Sequence, residues 1–307
     1  MKVGVVRNPL SGQRSRAKFW PAMRQALQDR FDNVKIHETS GGGDAARLAA
    51  ALCDSGYDLV IAVGGDGTIG ETIDGILRSG HPATAFSFIR SGSGSDFARN
   101  FSLPDSAQAI AREIAEAPLR RIDVGRLTCS DENGMRIERH FANIASLGLS
   151  GRVVQVVNRQ RRGGLISGEA RFLLYSAIET LRYSARPVSV TIDGEEVFRG
   201  PVTLVACANG GWFGGGMHVA PHADLADGLL DVVIVGAAPR LKLLALLNTL
   251  YTAAHVGNPL VSIFRGRRIE VVPIDSAQPL PIDCDGEAPG QIPACFEIVP
   301  QGLNLKI

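Results

Sequence analysis

Lysine is nearly missing from this chain. Lys2, Lys18, Lys35, Lys242 and Lys306 are all there is, so 27 of the 32 basic residues are arginine. No Gly-x-x-x-x-Gly-Lys-Ser/Thr segment occurs, which excludes a phosphate site built on a P-loop lysine. Any phosphate must be met by backbone amides, arginine or a metal ion. Cysteine is sparse as well. Cys53, Cys129, Cys207, Cys284 and Cys295 are scattered, odd in number and never spaced as Cys-x-x-Cys. This argues against a disulfide frame or a zinc site and for a reducing compartment. His218 and His222 stand four apart, but no helical pattern pairs them as zinc ligands. No apolar run reaches the roughly 20 residues that span a bilayer. The longest candidate, Leu241–Tyr251, contains Lys242 and Asn248. An excess of one charge is also lacking. A net charge of +1 gives no global drive toward nucleic acid, and none is expected as a partner. Met1-Lys2-Val3-Gly4 runs straight into a strand-like segment, so no signal peptide is expected.

What remains is ordinary globular material, 45% hydrophobic and 21% charged over 307 residues. That length predicts two domains. The first 120 or so residues alternate strand and helix. Lys2–Arg7, Asn33–His37, Leu59–Val63 and Ala83–Ile89 read as strands. Arg16–Arg30, Asp44–Leu52, Ile69–Leu77 and Ser106–Glu116 read as helices, with Asp44 as an N-cap. This rhythm predicts a parallel sheet covered by helices. After Arg120 the texture turns antiparallel. Asn133-Gly134 and Asp193-Gly194 are hairpin signals. Further strands are predicted at Val202–Ala208, Leu229–Val235, Arg268–Ile274, Pro281–Cys284 and Cys295–Val299. Only Glu169–Tyr183 and Arg240–Tyr251 read as long helices there. The expected fold is an α/β nucleotide-binding domain over 1–121 and a β-rich antiparallel sandwich over 122–293. A C-terminal segment at about 294–307 is a candidate to return to the first domain.

Gly64-Gly65-Asp66-Gly67-Thr68 sits between the third strand and the following helix. Three glycines there let backbone N–H groups approach a phosphate, with the positive end of the helix behind them. Asp66 cannot attract phosphate itself, so a divalent metal ion is its expected partner. Thr68 and Glu71 also match a capping box. The stretch from Gly65 to Gly70 formally fits Gly-x-Gly-x-x-Gly. A dinucleotide site would want it after the first strand, with a carboxylate on the next one, and neither condition is met. In an α/β sheet the loops at the carboxyl ends of neighbouring strands converge. Asn8–Gly12, Thr39–Asp44, Gly64–Thr68 and Arg90–Asp96 are therefore expected to meet in one polar, backbone-lined crevice. Farther on, Asp224 and Asp227 stand three apart at a glycine turn, a spacing that suits either an oxygen-ligand cation or a simple turn. Asn209–Gly216 is rich in glycine and carries Trp212 and Phe213, which line a lipid mouth or bury their rings. Arg159–Arg162 and Arg265–Arg268 are basic runs that suit anionic headgroups or a solvated face.

The segments Asn8–Gly12, Gly64–Thr68, Gly92–Arg99, Asp227–Asp231 and Asp285-Gly286-Glu287 resemble, in order and spacing, the diacylglycerol kinase catalytic family. That family includes sphingosine and ceramide kinases and small soluble bacterial lipid kinases, and the likeness to the bacterial members is greatest. NAD kinases share the glycine loop and the architecture but not the later blocks. The resemblance covers essentially the whole chain. It implies ATP as phosphoryl donor, bound in the cleft between the domains by Asn8, Thr39, Gly64, Gly65, Asp66, Gly67, Thr68, Ile69, Gly70, Glu71, Gly92, Ser93 and Asp96. It implies Mg2+ and a metal site at Asp224, Asp227 and the carbonyl of Leu229. Asp285 and Glu287 become the candidates to orient or deprotonate an acceptor hydroxyl, with Asp66 acting on the phosphate through magnesium. Glu287 is the favoured base.

The expected activity is phosphoryl transfer to a hydroxyl of a diacylglycerol-like or sphingoid lipid. The enzyme would be cytoplasmic and peripheral to the inner face of the membrane, where its lipid substrate lies, and a homodimer is compatible with this. Three positions depart from the family pattern. Arg90 adds a charge, Ser95 stands where the family usually has Asn, and Gly70 likewise replaces Asn. They motivate two alternatives: an NAD kinase-like enzyme with a soluble substrate, or a non-catalytic nucleotide- or lipid-binding protein.

Overall fold

The computed structural model describes residues 1–12, 19–81, 83–91, 95–159, 168–274 and 280–307. The chain divides into two compact units, Met1–Ile122 with Gln301–Ile307, and Asp123–Pro300.

In the first unit β1 (Lys2–Arg7), α1 (Phe19–Arg30), β2 (Asn33–Glu38), α2 (Asp44–Asp54), β3 (Leu59–Gly64), α3 (Asp66–Arg78), β4 (Ala85–Arg90) and α4 (Ala107–Glu116) follow in turn. β1 lies between β2 and β3, and β3 pairs on its other side with β4, all parallel. Val5 stands opposite both Ile36 and Ile61. Residues Asn304 and Leu305 return to pair with Ala85 and Phe86 of β4. β3 is buried along its whole length, as a parallel strand covered on both faces must be. Its Leu59, Ile61 and Val63 pack with Val3 and Val5 of β1 and with Met23 and Leu27 of α1. α4 begins at an N-cap, Ser106, whose hydroxyl accepts from Ala109 N at 3.2 Å.

Two helix starts differ from expectation. Gly43, at φ 78°, is the N-cap of α2 and offers no side chain. Asp44 is the first helical residue and instead accepts from Ser40 N and Oγ. The missing cap comes from another helix. Glu71 of α3 accepts from Gly43 N at 2.9 Å and Ala45 N at 3.1 Å, so it caps α2 rather than its own helix. The capping-box reading of Thr68 and Glu71 is thereby corrected: α3 starts at Gly65 without a side-chain cap. Of the predicted first helix, Arg16–Lys18 lie outside the described residues.

Most of β5 (Leu119–Ser130), then β6 (Arg136–Phe141), β7 (Ile144–Gly148), α5 (Leu149–Arg159), α6 (Gly168–Arg182), β8 (Arg186–Ile192), β9 (Glu195–Ala208), β10 (Trp212–Phe213), β11 (Met217–His218), β12 (Leu230–Gly236), α7 (Arg240–Leu250), β13 (Val261–Gly266), β14 (Arg268–Pro273), β15 (Ile282–Cys284) and the first ten residues of β16 (Gln291–Lys306) make the second unit. β9 is its hub. One stretch pairs with β8, and its last residues pair with β7 on one side and β12 on the other, all antiparallel. The Asp193-Gly194 turn closes β8 onto β9 with both residues at positive φ, the conformation that Asp-Gly hairpins favour. Leu127, Phe141, Leu147, Val190, Val205, Val232 and Phe296 lie in the shared core.

α5 was not expected. Its Val153-Val154-Gln155-Val156-Val157 reads as a strand by composition. Packing overrides that preference, because Ser150, Gly151, Val153 and Val154 are buried on one helical face. β16 is likewise far longer than the predicted Cys295–Val299 segment.

The α2–α3 contact depends on Gly75. A Cβ there would stand 2.2 Å from the Ala46 carbonyl oxygen. Gly75→Ala is expected to destabilise the protein by about 1–3 kcal/mol through overpacking, read as a lower urea midpoint at unchanged m-value.

Candidate active site

In the first unit the loops after all four strands are joined by main-chain bonds. Asn8 N donates to Val63 O at 2.9 Å, Thr39 N to Arg7 O at 2.8 Å and Ser91 N to Gly64 O at 2.9 Å. The predicted convergence is therefore present. Asn8 Oδ1 accepts from Leu10 N, and Asn8 Nδ2 donates to Thr68 Oγ1 at 3.3 Å. Gly64 must be glycine, since a Cβ would stand 2.4 Å from the Thr68 side chain. The first intrahelical bond of α3 is Ile69 N to Gly65 O at 3.1 Å. The amides of Gly67 and Thr68 precede it at the positive end of the helix, the arrangement that receives an anion.

Asp66, expected to hold a metal, is committed to the backbone. Its Oδ2 accepts from Ser95 N at 2.7 Å and its Oδ1 from Phe97 N at 3.1 Å. Burial raises its carboxyl above the usual range, against the pull of those amides. It anchors the loop after β4, where Ser95 holds φ 75°. Asn tolerates that left-handed conformation better than Ser. Asp96 is buried and faces Arg99 Nε at 3.4 Å. Ile69 is buried, while Gly70 is partly exposed. Arg90 pairs with Asp105 at 2.6 Å. Gly92 and Ser93 lie outside the described residues.

The carboxylates of the second unit cluster around the turn after β15. Asp285 and Gly286 have φ of 47° and 88°, the two positive values of a type I′ turn. Cys284 and Glu287 exchange main-chain bonds across it at 2.8 and 3.0 Å. Asp285 is seated on three successive amides. Its Oδ2 accepts from Ala142 N at 2.8 Å, its Oδ1 from Ile144 N at 2.8 Å, and both oxygens lie 3.3 Å from Asn143 N. Bonds to a charged acceptor contribute about 1.5–3 kcal/mol each, so Asp285 holds the turn to β7. Glu287, at the turn's far end, is half-buried.

The same amides belong to a wider network. Asn143 O accepts from Asn209 N and Gly210 N, and Asn143 Nδ2 donates to Trp212 O. Asn209 is fully buried, and its amide donates to Asp123 O at 2.9 Å and Ala142 O at 2.7 Å. Asp123, also fully buried, accepts from Gly228 N at 2.6 Å. Sequence reasoning missed Asp123, Asn143 and Asn209. The available signal was a polar residue in or beside an apolar strand, as in Ile122-Asp123-Val124. The glycine-rich stretch is a short hairpin in which Phe213 is buried and Trp212 stacks on His218 at 3.8 Å. The buried-ring alternative thus describes it.

The Asp224–Leu229 turn carries donors of the right type for a hard cation, two carboxylates and a carbonyl. In this arrangement Asp224 Oδ1 accepts from Ala226 N and Asp227 Oδ1 from Leu229 N, both at 3.0 Å. Asp227 Oδ2 is paired with Arg265, whose Nε also lies 3.5 Å from buried Asp231. A cation there would share Asp227 with a guanidinium. Among the described residues no cluster of three or more His, Cys, Asp or Glu forms a metal site. The Arg265–Arg268 run is similarly engaged, with Arg268 paired to Glu270 and Glu297. Gln160–Arg162 lie outside the described residues.

Comparisons with known proteins agree with this architecture. Residues 2–127 match the diacylglycerol kinase catalytic domain, and residues 143–307 match the YegS C-terminal NAD kinase beta sandwich-like domain. A diacylglycerol kinase of Mycobacterium tuberculosis is 31% identical over 307 residues, covering 99% of this chain and 94% of the relative. Among solved structures, a diacylglycerol kinase from Bacillus anthracis has a TM-score of 0.73 at 20% identity, covering 99% of this chain and 96% of that one. Yeast NADH kinase complexed with NADH has a TM-score of 0.50 at 10% identity, covering 99% and 82%. These structural likenesses establish the fold.

Asp283, just before the turn, is buried, and its carboxyl is pushed up to about 8 by burial, with Asp285 and Glu287 adding to the shift. A folded-state value above the unfolded 3.8 favours folding below pH 4. That contribution is lost as pH rises toward 8. Asp283→Asn removes the titration. Its melting temperature relative to the parent is therefore expected to rise between pH 5 and pH 8.5. A constant difference would show that Asp283 is ionised throughout.

Proposed function

This chain belongs to the diacylglycerol kinase catalytic family, and we propose that it transfers the γ-phosphoryl group of ATP to a hydroxyl of a diacylglycerol-like or sphingoid lipid. The observation that carries the assignment of roles is the turn at 285–287. Asp285 is seated on three backbone amides, and Glu287, half-buried at the end of the turn, is assigned the role of base. A half-buried carboxylate suits the removal of a proton from an alcohol as the phosphoryl group arrives. On the donor side, Gly67 and Thr68 present amides at the start of α3 to phosphate oxygens, and Asn8 orients Thr68 beside them. Asp66 keeps the loop after β4 against the glycine loop, so the nucleotide meets a preformed backbone surface.

Magnesium is expected with the nucleotide, where it would spread the charge of the transferred group. Asp224, Asp227 and the Leu229 carbonyl would hold a cation at their turn, and Arg265 already supplies part of that neutralisation. The lipid acceptor is proposed to come from a membrane surface on the cytoplasmic side. No helix among the described residues is long and apolar enough to cross a membrane. In support of a peripheral encounter, α6 exposes Leu173, Leu174 and Leu181 while burying Ser176, Glu179 and Thr180. α7 adds Leu241, which is 79% exposed, beside Arg240 and Lys242.

The test is phosphate transfer from γ-labelled ATP with magnesium to diacylglycerol, monoacylglycerol, sphingosine, ceramide and NAD, each offered separately. Labelled lipid is expected, and Glu287→Gln is expected to slow its formation about 100- to 10,000-fold. Label on NAD alone would move the protein to the soluble-substrate class. Nucleotide binding without transfer to any acceptor would instead identify a binding protein.

A further inference from the structure

Asp283 is not part of the Asp285-Gly286-Glu287 motif, yet it lies directly beneath it. It is 4% exposed in a three-residue strand between Ile282 and Cys284. Its Oδ1 accepts from Gly286 N at 2.8 Å. Its Oδ2 lies 3.4 Å from Ser146 Oγ, which donates to Ser150 Oγ at 2.8 Å. The other side of Gly286 is held by Asn158 of α5, whose Nδ2 donates to Gly286 O at 3.1 Å. Gly286, the residue before Glu287, is thus held at both its amide and its carbonyl. The main-chain bonds between Cys284 and Glu287 already close this turn, so the side-chain partners of Gly286 serve more than closure. A buried carboxyl is costly unless it is satisfied, so its placement here calls for a specific return.

We propose that Asp283 is a positioning residue: by holding the Gly286 amide against β7, it fixes the direction in which Glu287 leaves the turn. The claim rests on Glu287 being the base. Asp285 sets where the turn is docked, and Asp283, with Asn158, sets how Gly286 is oriented. A displacement of about 1 Å in a proton acceptor is enough to cost on the order of 100-fold in rate. The side chain's oxygen toward Gly286 is what matters, not its charge. The amide of Asn keeps an oxygen for Gly286 N and offers its NH2 to Ser146 Oγ. Ala keeps neither.

The experiment compares the parent, Asp283→Ala, Asp283→Asn and Glu287→Ala by amide hydrogen exchange and by steady-state transfer from ATP to the lipid acceptor. Asp283→Ala is expected to speed exchange within residues 282–290 without changing β1–β4. It should lower kcat about 100-fold while leaving KM for ATP within about twofold. Asp283→Asn is expected to restore both exchange and kcat to within about threefold of the parent. Asp283→Ala with parental exchange at 282–290, or with parental kcat beside an inactive Glu287→Ala, would overturn the proposal. So would an Asp283→Asn variant as slow as Asp283→Ala despite a parental melting temperature. If Glu287→Ala transfers phosphate like the parent, the base assignment itself fails, and parental exchange in Asp283→Asn then still decides whether Asp283 fixes the turn.

Discussion

The carboxylate of Asp285 on the amides of residues 142–144 is the contact on which the second unit's site depends. Three N–H groups in succession, where β6 ends and β7 begins, donate to this one carboxylate. Once Asp285 is seated, Asn143 is oriented so that its carbonyl receives Asn209 N and Gly210 N and its side chain reaches Trp212 O. Asn209 in turn fixes the backbone of Asp123, and Asp123 fixes Gly228. Buried polar groups linked in this way stabilise only if their members are satisfied. The 285–287 turn, the tryptophan hairpin and the Asp224–Leu229 turn are therefore parts of one polar structure laid over an apolar core.

The first unit uses the same device. Asp66 clamps the loop after β4, and Glu71 caps a helix other than its own. Asp193 receives Arg267 N and Arg268 N in the second unit. In each case a carboxylate meets main-chain amides donated by a distant segment. Charge-assisted bonds of this kind are stronger than neutral ones and directional. They let irregular, glycine-rich loops hold a single shape. Such loops are what a phosphate site requires, because bare backbone can approach the ligand. With few lysines available, the proposed recognition of phosphate would rest on that backbone, with the acidic residues keeping it in place.

Much of this was legible in the sequence. Strand–helix alternation and the Gly64–Thr68 loop specify the parallel sheet and its crevice, because both signals are local. Asn-Gly and Asp-Gly dipeptides mark the hairpins, because both put a glycine at positive φ, Gly134 in one and Gly194 in the other. The errors also have local causes. α5 was hidden because β-branched composition argues for a strand, whereas burial of one face against β7 and β15 makes it a helix. Asp44 looked like a cap because it follows glycines, but the group that serves α2 comes from α3.

What the sequence by itself determined is the set of parts: a lysine-free glycine loop at a strand–helix junction, and three carboxylates within five residues near the end of the chain. Tertiary structure alone decided which carboxylate does what. Asp283, Asp285 and Glu287 are nearly equivalent as letters in a string. They become a buried acid, a backbone anchor and a half-buried carboxylate only because the chain folds three amides from residues 142–144 against one of them and covers another with Ser146 and α5. A carboxyl's role is set by its hydrogen-bond donors and its access to water, and both are supplied here by residues more than a hundred positions away.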